Sequence, residues 1–128
     1  MTGTRVLIID DEKGFTDLLQ MQVRRHANVH LRVVNQSDQA LEVARQFKPD
    51  IILLDIVMPG IDGGELLHQF EGDANLKEIP IIVVSALTTH AETSSGLSLS
   101  GHPLIAKPVK TEELVGRIEE QLGHSIRH

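Results

Sequence analysis

A chain of 128 residues with 41% hydrophobic and 23% charged side chains has the length of one domain and enough aliphatic material for one core, which excludes a collagen-like or composition-driven disordered chain. Eighteen acidic against 12 basic residues give a formal net charge of −6, and the three Phe are the only aromatics, so direct nucleic-acid binding is not expected. The absence of Cys removes disulfides, thiolate nucleophiles and zinc–thiolate sites. With no leader-like start and no apolar run near about 18 residues, no membrane partner is expected and the expected location is cytoplasmic.

Along the chain, short apolar runs alternate with stretches of helical spacing. Val6-Leu7-Ile8-Ile9 is bounded by Arg5 and Asp10, and Phe15, Leu18, Leu19 and Val23 then share one helical face. Val29 to Val34 alternates, with His30 and Arg32 between apolar residues, and Ala40, Leu41, Ala44 and Phe47 again share a face. Ile51-Ile52-Leu53-Leu54 follows Pro49 and ends at Asp55; Asp62 with Glu65 then reads as a capping box. Ile81-Ile82-Val83-Val84 follows Pro80 and ends at Ser85. The stretch from Thr88 to Gly101 is rich in Ser, which predicts a short or mobile fourth helix. Leu104-Ile105-Ala106 ends at Lys107, and acidic Glu112 and Glu113 open a last helix carrying Leu114, Val115, Ile118 and Leu122. Residues 1–123 are expected to form one domain and 124–128 a tail, with no output domain in the chain.

Strict βα alternation with runs this short and β-branched predicts an α/β fold, a parallel sheet covered on both faces. Ligands of such sheets bind outside the carboxyl ends of the strands. There this sequence places Asp10-Asp11, Asp55, Ser85 and Lys107. Clustered carboxylates repel one another and call for a cation, and an all-oxygen set with room for water suits Mg²⁺. One carboxylate can then act as nucleophile toward a phosphoryl group, with Lys107 neutralising the transferring oxygens and Ser85 donating a hydrogen bond. Each residue alone has a plainer role, as a helix cap, a turn or a strand exit. Four strand ends carrying the right groups together are harder to attribute to capping.

The stretches Val6-Leu7-Ile8-Ile9-Asp10-Asp11, Pro49 to Gly63 with Asp55-Ile56-Val57-Met58-Pro59-Gly60 at its centre, Val83-Val84-Ser85-Ala86 and Ala106-Lys107-Pro108 resemble, in order and spacing, the CheY-like response-regulator receiver domain of two-component signalling. The resemblance covers nearly the whole chain. It implies a flavodoxin-like, doubly wound five-stranded parallel sheet of order 2-1-3-4-5 with five helices. It implies Asp55 as phosphoacceptor, with Mg²⁺ bound by Asp11, Asp55 and the Val57 backbone carbonyl, and by Asp10 largely through water. Ser85, Ala86 and Lys107 would hold the phosphoryl group, and the Lys107-Pro108 peptide is a candidate for the cis form. The implied donor is a sensor histidine kinase or a histidine phosphotransfer protein. The domain would catalyse its own phosphorylation and dephosphorylation and pass the signal to a downstream effector that the sequence does not identify.

Two positions depart from the family pattern. Leu104 stands where a switch Tyr or Phe is usual, and Val109 where Phe is common, so a readout without ring rotation is expected, through Ser85, the adjacent loop and the fourth helix. Gly14 and Leu18 are candidates for docking the donor, while Phe15 suits the core. The seven His form no HExxH motif and read as scattered surface or partly satisfied residues. Two alternatives remain. One is a pseudo-receiver that acts as an interaction module without phosphorylation. The other is a phosphatase of the haloacid-dehalogenase type, against which Val57 occupies the position where that family needs a second Asp.

Overall fold

The short β-branched runs become strands, and amphipathic stretches between them become helices, in the computed structural model, which describes residues 3–55, 63–85, 98–99 and 101–128. In chain order these are β1 (Thr4–Ile9), α1 (Lys13–His26), β2 (Val29–Val34), a 3₁₀ turn (Ser37–Gln39), α2 (Ala40–Phe47), β3 (Ile51–Asp55), α3 (Gly63–Gly72), β4 (Ile81–Ser85), β5 (Ser98–Leu99), β6 (His102–Ala106) and α4 (Thr111–Leu122). Strands β2-β1-β3-β4-β6 are parallel neighbours, which is the expected 2-1-3-4-5 order. One strand was not expected. The two-residue β5 pairs antiparallel with β6, and Gly101, at φ 82°, supplies the left-handed residue of the tight connection. The rest of the stretch read as a fourth helix lies outside the described residues.

Every residue of β3 is buried, because helices cover both faces of this central strand. Alternate residues feed two cores. Leu7, Ile9, Ile52, Leu54, Ile81 and Val83 pack with α2 and α3, where Phe70 is fully buried. Val6, Ile8, Ile51, Leu53, Ile82 and Val84 pack with α1 and α4. At the sheet's edge, β2 buries only Val34, which explains its alternating sequence.

The last residues are a correction to the expected tail. Ile126 is only 4% exposed and joins the core beside α1 and α4. Its carbonyl accepts the Asn28 N–H at 2.8 Å, and Ala27 pairs with Arg127 in an antiparallel bridge. Gly123, at φ 80°, ends α4 and turns the chain toward this strap. Residues 124–128 are therefore tied to the domain, at the end of α1 remote from the strand termini that carry the acidic residues.

Sheet register decides where the chemistry lies. Ile9 is level with Leu54, Asp55 with Val84, and Ser85 with Ala106. The residues that follow or close these strands, Asp10, Asp55, Ser85 and Lys107, therefore emerge along one edge of the sheet.

Candidate functional site

Asp10 is fixed before it does anything else. Its N–H donates to the Val34 carbonyl at 3.0 Å, its own carbonyl accepts Asn35 Nδ2 at 2.7 Å, and its Oδ1 accepts the Glu12 N–H at 2.9 Å. Asn35 Nδ2 also reaches Thr16 Oγ1 at 3.1 Å, which ties the start of α1 to the end of β2. Asp10 and Asp55 are 1% and 2% exposed. Asp11 is half-buried, and one ligand atom from each of Asp10, Asp11 and Asp55 lies within 4.8 Å of the others.

Lys107 faces this cluster from the end of β6. Its Nζ is 2.8 Å from Asp10 Oδ2, 2.5 Å from Glu12 Oε1 and 3.5 Å from Asp55 Oδ2, and its side chain is only 11% exposed. Nζ also lies 4.3 Å from the centre of the Phe15 ring, a cation–π contact. Burial pulls the Lys107 ammonium toward a lower pKa, but the hydrogen bonds to Asp10 and Glu12 and the charges of Asp10 and Asp55 outweigh it. The net shift is upward, so Lys107 is a fixed positive charge. The Lys107–Pro108 peptide is cis.

Asp10, Asp11, Asp55 and Lys107, the residues singled out at separate strand ends, thus share one small volume. Ser85 closes β4 opposite Ala106, and its side chain is outside the described set, as are Val57 and Ala86. Leu104 is 5% exposed and belongs to the core beneath α2 and α3, while Val109 packs partly against the opposite core. Gly14 is exposed, and a side chain added there would meet nothing within 4 Å. Leu18 and Met21 are 51% and 50% exposed on the same helix.

Sequence reasoning missed two members of the site, Glu12 and Phe15 as partners of Lys107. Glu12 directly follows the acidic pair, which was a signal. Its pairing with a residue 95 positions away was not legible.

Three carboxylates, Asp10, Glu12 and Asp55, converge on one ammonium, with Asp11 beside Asp10 and Asp55 as a fourth acid among the described residues. That surplus of negative charge, offered entirely by oxygen donors, fits a hard divalent cation. A buried carboxylate beside an ammonium and a cluster that could hold a cation is also arranged so that it could act as a nucleophile toward an electrophile whose developing negative charge these cations would meet.

Residues 6–119 match the family described as response regulator receiver domain. The chain is 30% identical over 118 residues to the DNA-binding response regulator MtrA of Mycolicibacterium paratuberculosis, a match covering 92% of this chain and 51% of that protein. It therefore spans about half the length of that relative. It is 33% identical over 119 residues to Protein PilH of Pseudomonas aeruginosa, covering 93% of this chain and 98% of PilH. In fold it is similar to a response regulator from Desulfuromonas acetoxidans, with a TM-score of 0.80 at 23% identity over 94% of this chain and 97% of that one. The Vibrio cholerae chemotaxis protein CheY4 superposes with a TM-score of 0.80 at 21% identity, over 94% and 100% of the two chains.

Proposed function

Because the chain belongs to the response-regulator receiver family, we propose that it is a phosphorelay switch whose Asp55 accepts a phosphoryl group from a phosphohistidine. The observation that carries this is the placing of Asp55. It is 2% exposed at the end of β3, grouped with Asp10 and Asp11, and 3.5 Å from the Lys107 ammonium. An Asp55 carboxylate oxygen attacks phosphorus, the phosphorus–nitrogen bond breaks, and the donor imidazole leaves with the bonding pair and is protonated. Lys107 neutralises charge on the transferring oxygens. Asp10, Asp11 and Asp55 would hold Mg²⁺, with the Val57 carbonyl as a further ligand; when bound it adds to that neutralisation. Asp10 is rigid on its backbone bonds and orients the site. Ser85 and Ala86 complete the contacts to the phosphoryl group in this reading.

The donor is a sensor histidine kinase or a histidine phosphotransfer protein, and it docks over the start of α1, where Gly14 and Leu18 are exposed beside the site. Leu18→Arg should slow transfer from such a donor about ten-fold, the loss expected of one interface anchor, and leave labelling by acetyl phosphate unchanged. Slowing with both donors would place Leu18 in the chemistry instead. Leu104 packs in the core, so the signal leaves through Ser85 and the segment after it, without a rotating ring. Dephosphorylation is also catalysed by the domain itself, and the downstream effector is a protein whose affinity changes with the phosphoryl group.

The reading is tested by intact-mass measurement after incubation with acetyl phosphate, with and without Mg²⁺. Gain of one phosphoryl group only with Mg²⁺ supports it. No gain under either condition, with a folded protein, would leave the chain an interaction module.

A further inference from the structure

The Lys107 ammonium is ion-paired with three carboxylates, Asp10, Glu12 and Asp55, and its directed hydrogen bonds go to Glu12 and Asp55. A phosphoryl group on Asp55 takes over that residue's contact and brings further acceptor oxygens and more negative charge, so it competes with Asp10 and Glu12 for the ammonium. These two differ sharply in what release would cost. Asp10 is 1% exposed, so water would not reach its carboxylate to replace the ammonium. The Glu12 side chain is 59% exposed and can be rehydrated at once.

Two further observations single out Glu12. It occupies the N-cap of α1, yet its carboxylate makes no capping bond to the helix and is given to Lys107 instead. Asp10 also cannot swing aside with Lys107, because its other carboxylate oxygen accepts the Glu12 N–H and its backbone is bonded to Val34 and Asn35. Glu12 has a fixed backbone and an exposed side chain, the combination a releasable arm requires.

The geometry points to Glu12 as a positioning residue: its carboxylate holds Lys107 before phosphorylation and is the contact Lys107 surrenders to reach a phosphoryl group on Asp55. This rests on Asp55 being the acceptor. Glu12 then sets how readily the site accepts and keeps the group, by competing for the same ammonium. The Phe15 ring keeps the Lys107 head beside the cluster while one partner replaces another.

Two substitutions separate contact from charge. Glu12→Gln weakens the contact and removes the charge, whereas Glu12→Asp keeps the charge but is one methylene too short for the same reach. Beryllofluoride, a phosphoryl mimic, is titrated with Mg²⁺ into both variants and the unchanged protein. In the metal-free proteins, exchange of the Lys107 ammonium protons with water is followed by NMR. Both variants should bind beryllofluoride about five-fold more tightly, the scale of one part-exposed ion pair, and both should show faster ammonium exchange. Unchanged affinity in both overturns the inference. Tighter binding by Glu12→Gln alone, with Glu12→Asp like the unchanged protein, also overturns it and assigns a through-space charge effect. Failure of the unchanged protein to bind beryllofluoride would instead remove the reading of Asp55, and this inference with it.

Discussion

Helix α1 runs between two charged hubs built on opposite plans. Near its start, the Lys107 ammonium is surrounded by Asp10, Glu12 and Asp55, with Asp11 close by. Near its end, the Glu119 carboxylate receives Ser125 Oγ at 3.0 Å, the Ile126 N–H at 2.9 Å and Arg127 Nε at 3.0 Å. One carboxylate facing one guanidinium and two neutral donors is a matched set. Its pKa falls to about 2, chiefly through the Ile126 backbone bond and then the Arg127 side chain. One ammonium among four carboxylates is unmatched. The matched hub closes a strap over apolar Ile126, while the unmatched hub retains negative charge that a cation would complete. Both are made of ordinary ion pairs; the balance of charge separates a structural lock from a site prepared for a ligand.

The sharpest break of this comparison is to remove the cation of the unmatched hub. Lys107→Ala leaves Asp10 and Asp55 buried without their ammonium, so urea unfolding at neutral pH should show a loss of about 3 kcal/mol. Mg²⁺ should restore part of it, and an equal loss with and without Mg²⁺ would deny that the carboxylates form a cation site. At the matched hub, Ile126→Ala should cost about 2 kcal/mol by lost burial, with no dependence on Mg²⁺. Unchanged stability would mean that the strap contributes nothing to the core.

Glu119→Gln should have a smaller effect, confined to the strap. Its folded pKa lies below the ordinary value of 4.5, so the stabilisation is present above pH 4.5 and is lost as pH falls toward about 2. Amide exchange at Ile126, corrected for its intrinsic pH dependence, should accelerate over that range in the unchanged protein and lose this acid dependence in Glu119→Gln. Acid dependence retained in the variant would show that another group governs the strap.

The two hubs were unequally legible in the sequence. Asp10, Asp11, Asp55 and Lys107 stand at the ends of apolar runs, and a parallel sheet brings strand ends together whatever the loops between them do. Strands β1, β3 and β4 were readable because helices on both faces demand unbroken Val, Ile and Leu. The strap was not readable. Ile126 is a lone apolar residue among polar ones, and its burial depends on Glu119 and on the backbone of Asn28, contacts that no periodicity encodes. The two residues of β5 are too few to carry a pattern. Glu12 was hidden differently: as the third acid in a row it reads as a solvated helix start, and only the tertiary approach of Lys107 gives it a partner.

The central claim is that the unmatched hub exists to put a phosphoryl group on Asp55. Peptide mapping by mass spectrometry after reaction with acetyl phosphate and Mg²⁺ tests it most directly, with the unchanged protein beside Asp55→Asn. The account predicts one phosphoryl group on the peptide containing Asp55, and none anywhere in the variant. A phosphoryl group gained by Asp55→Asn, or mapped to another residue of the unchanged protein, would contradict it.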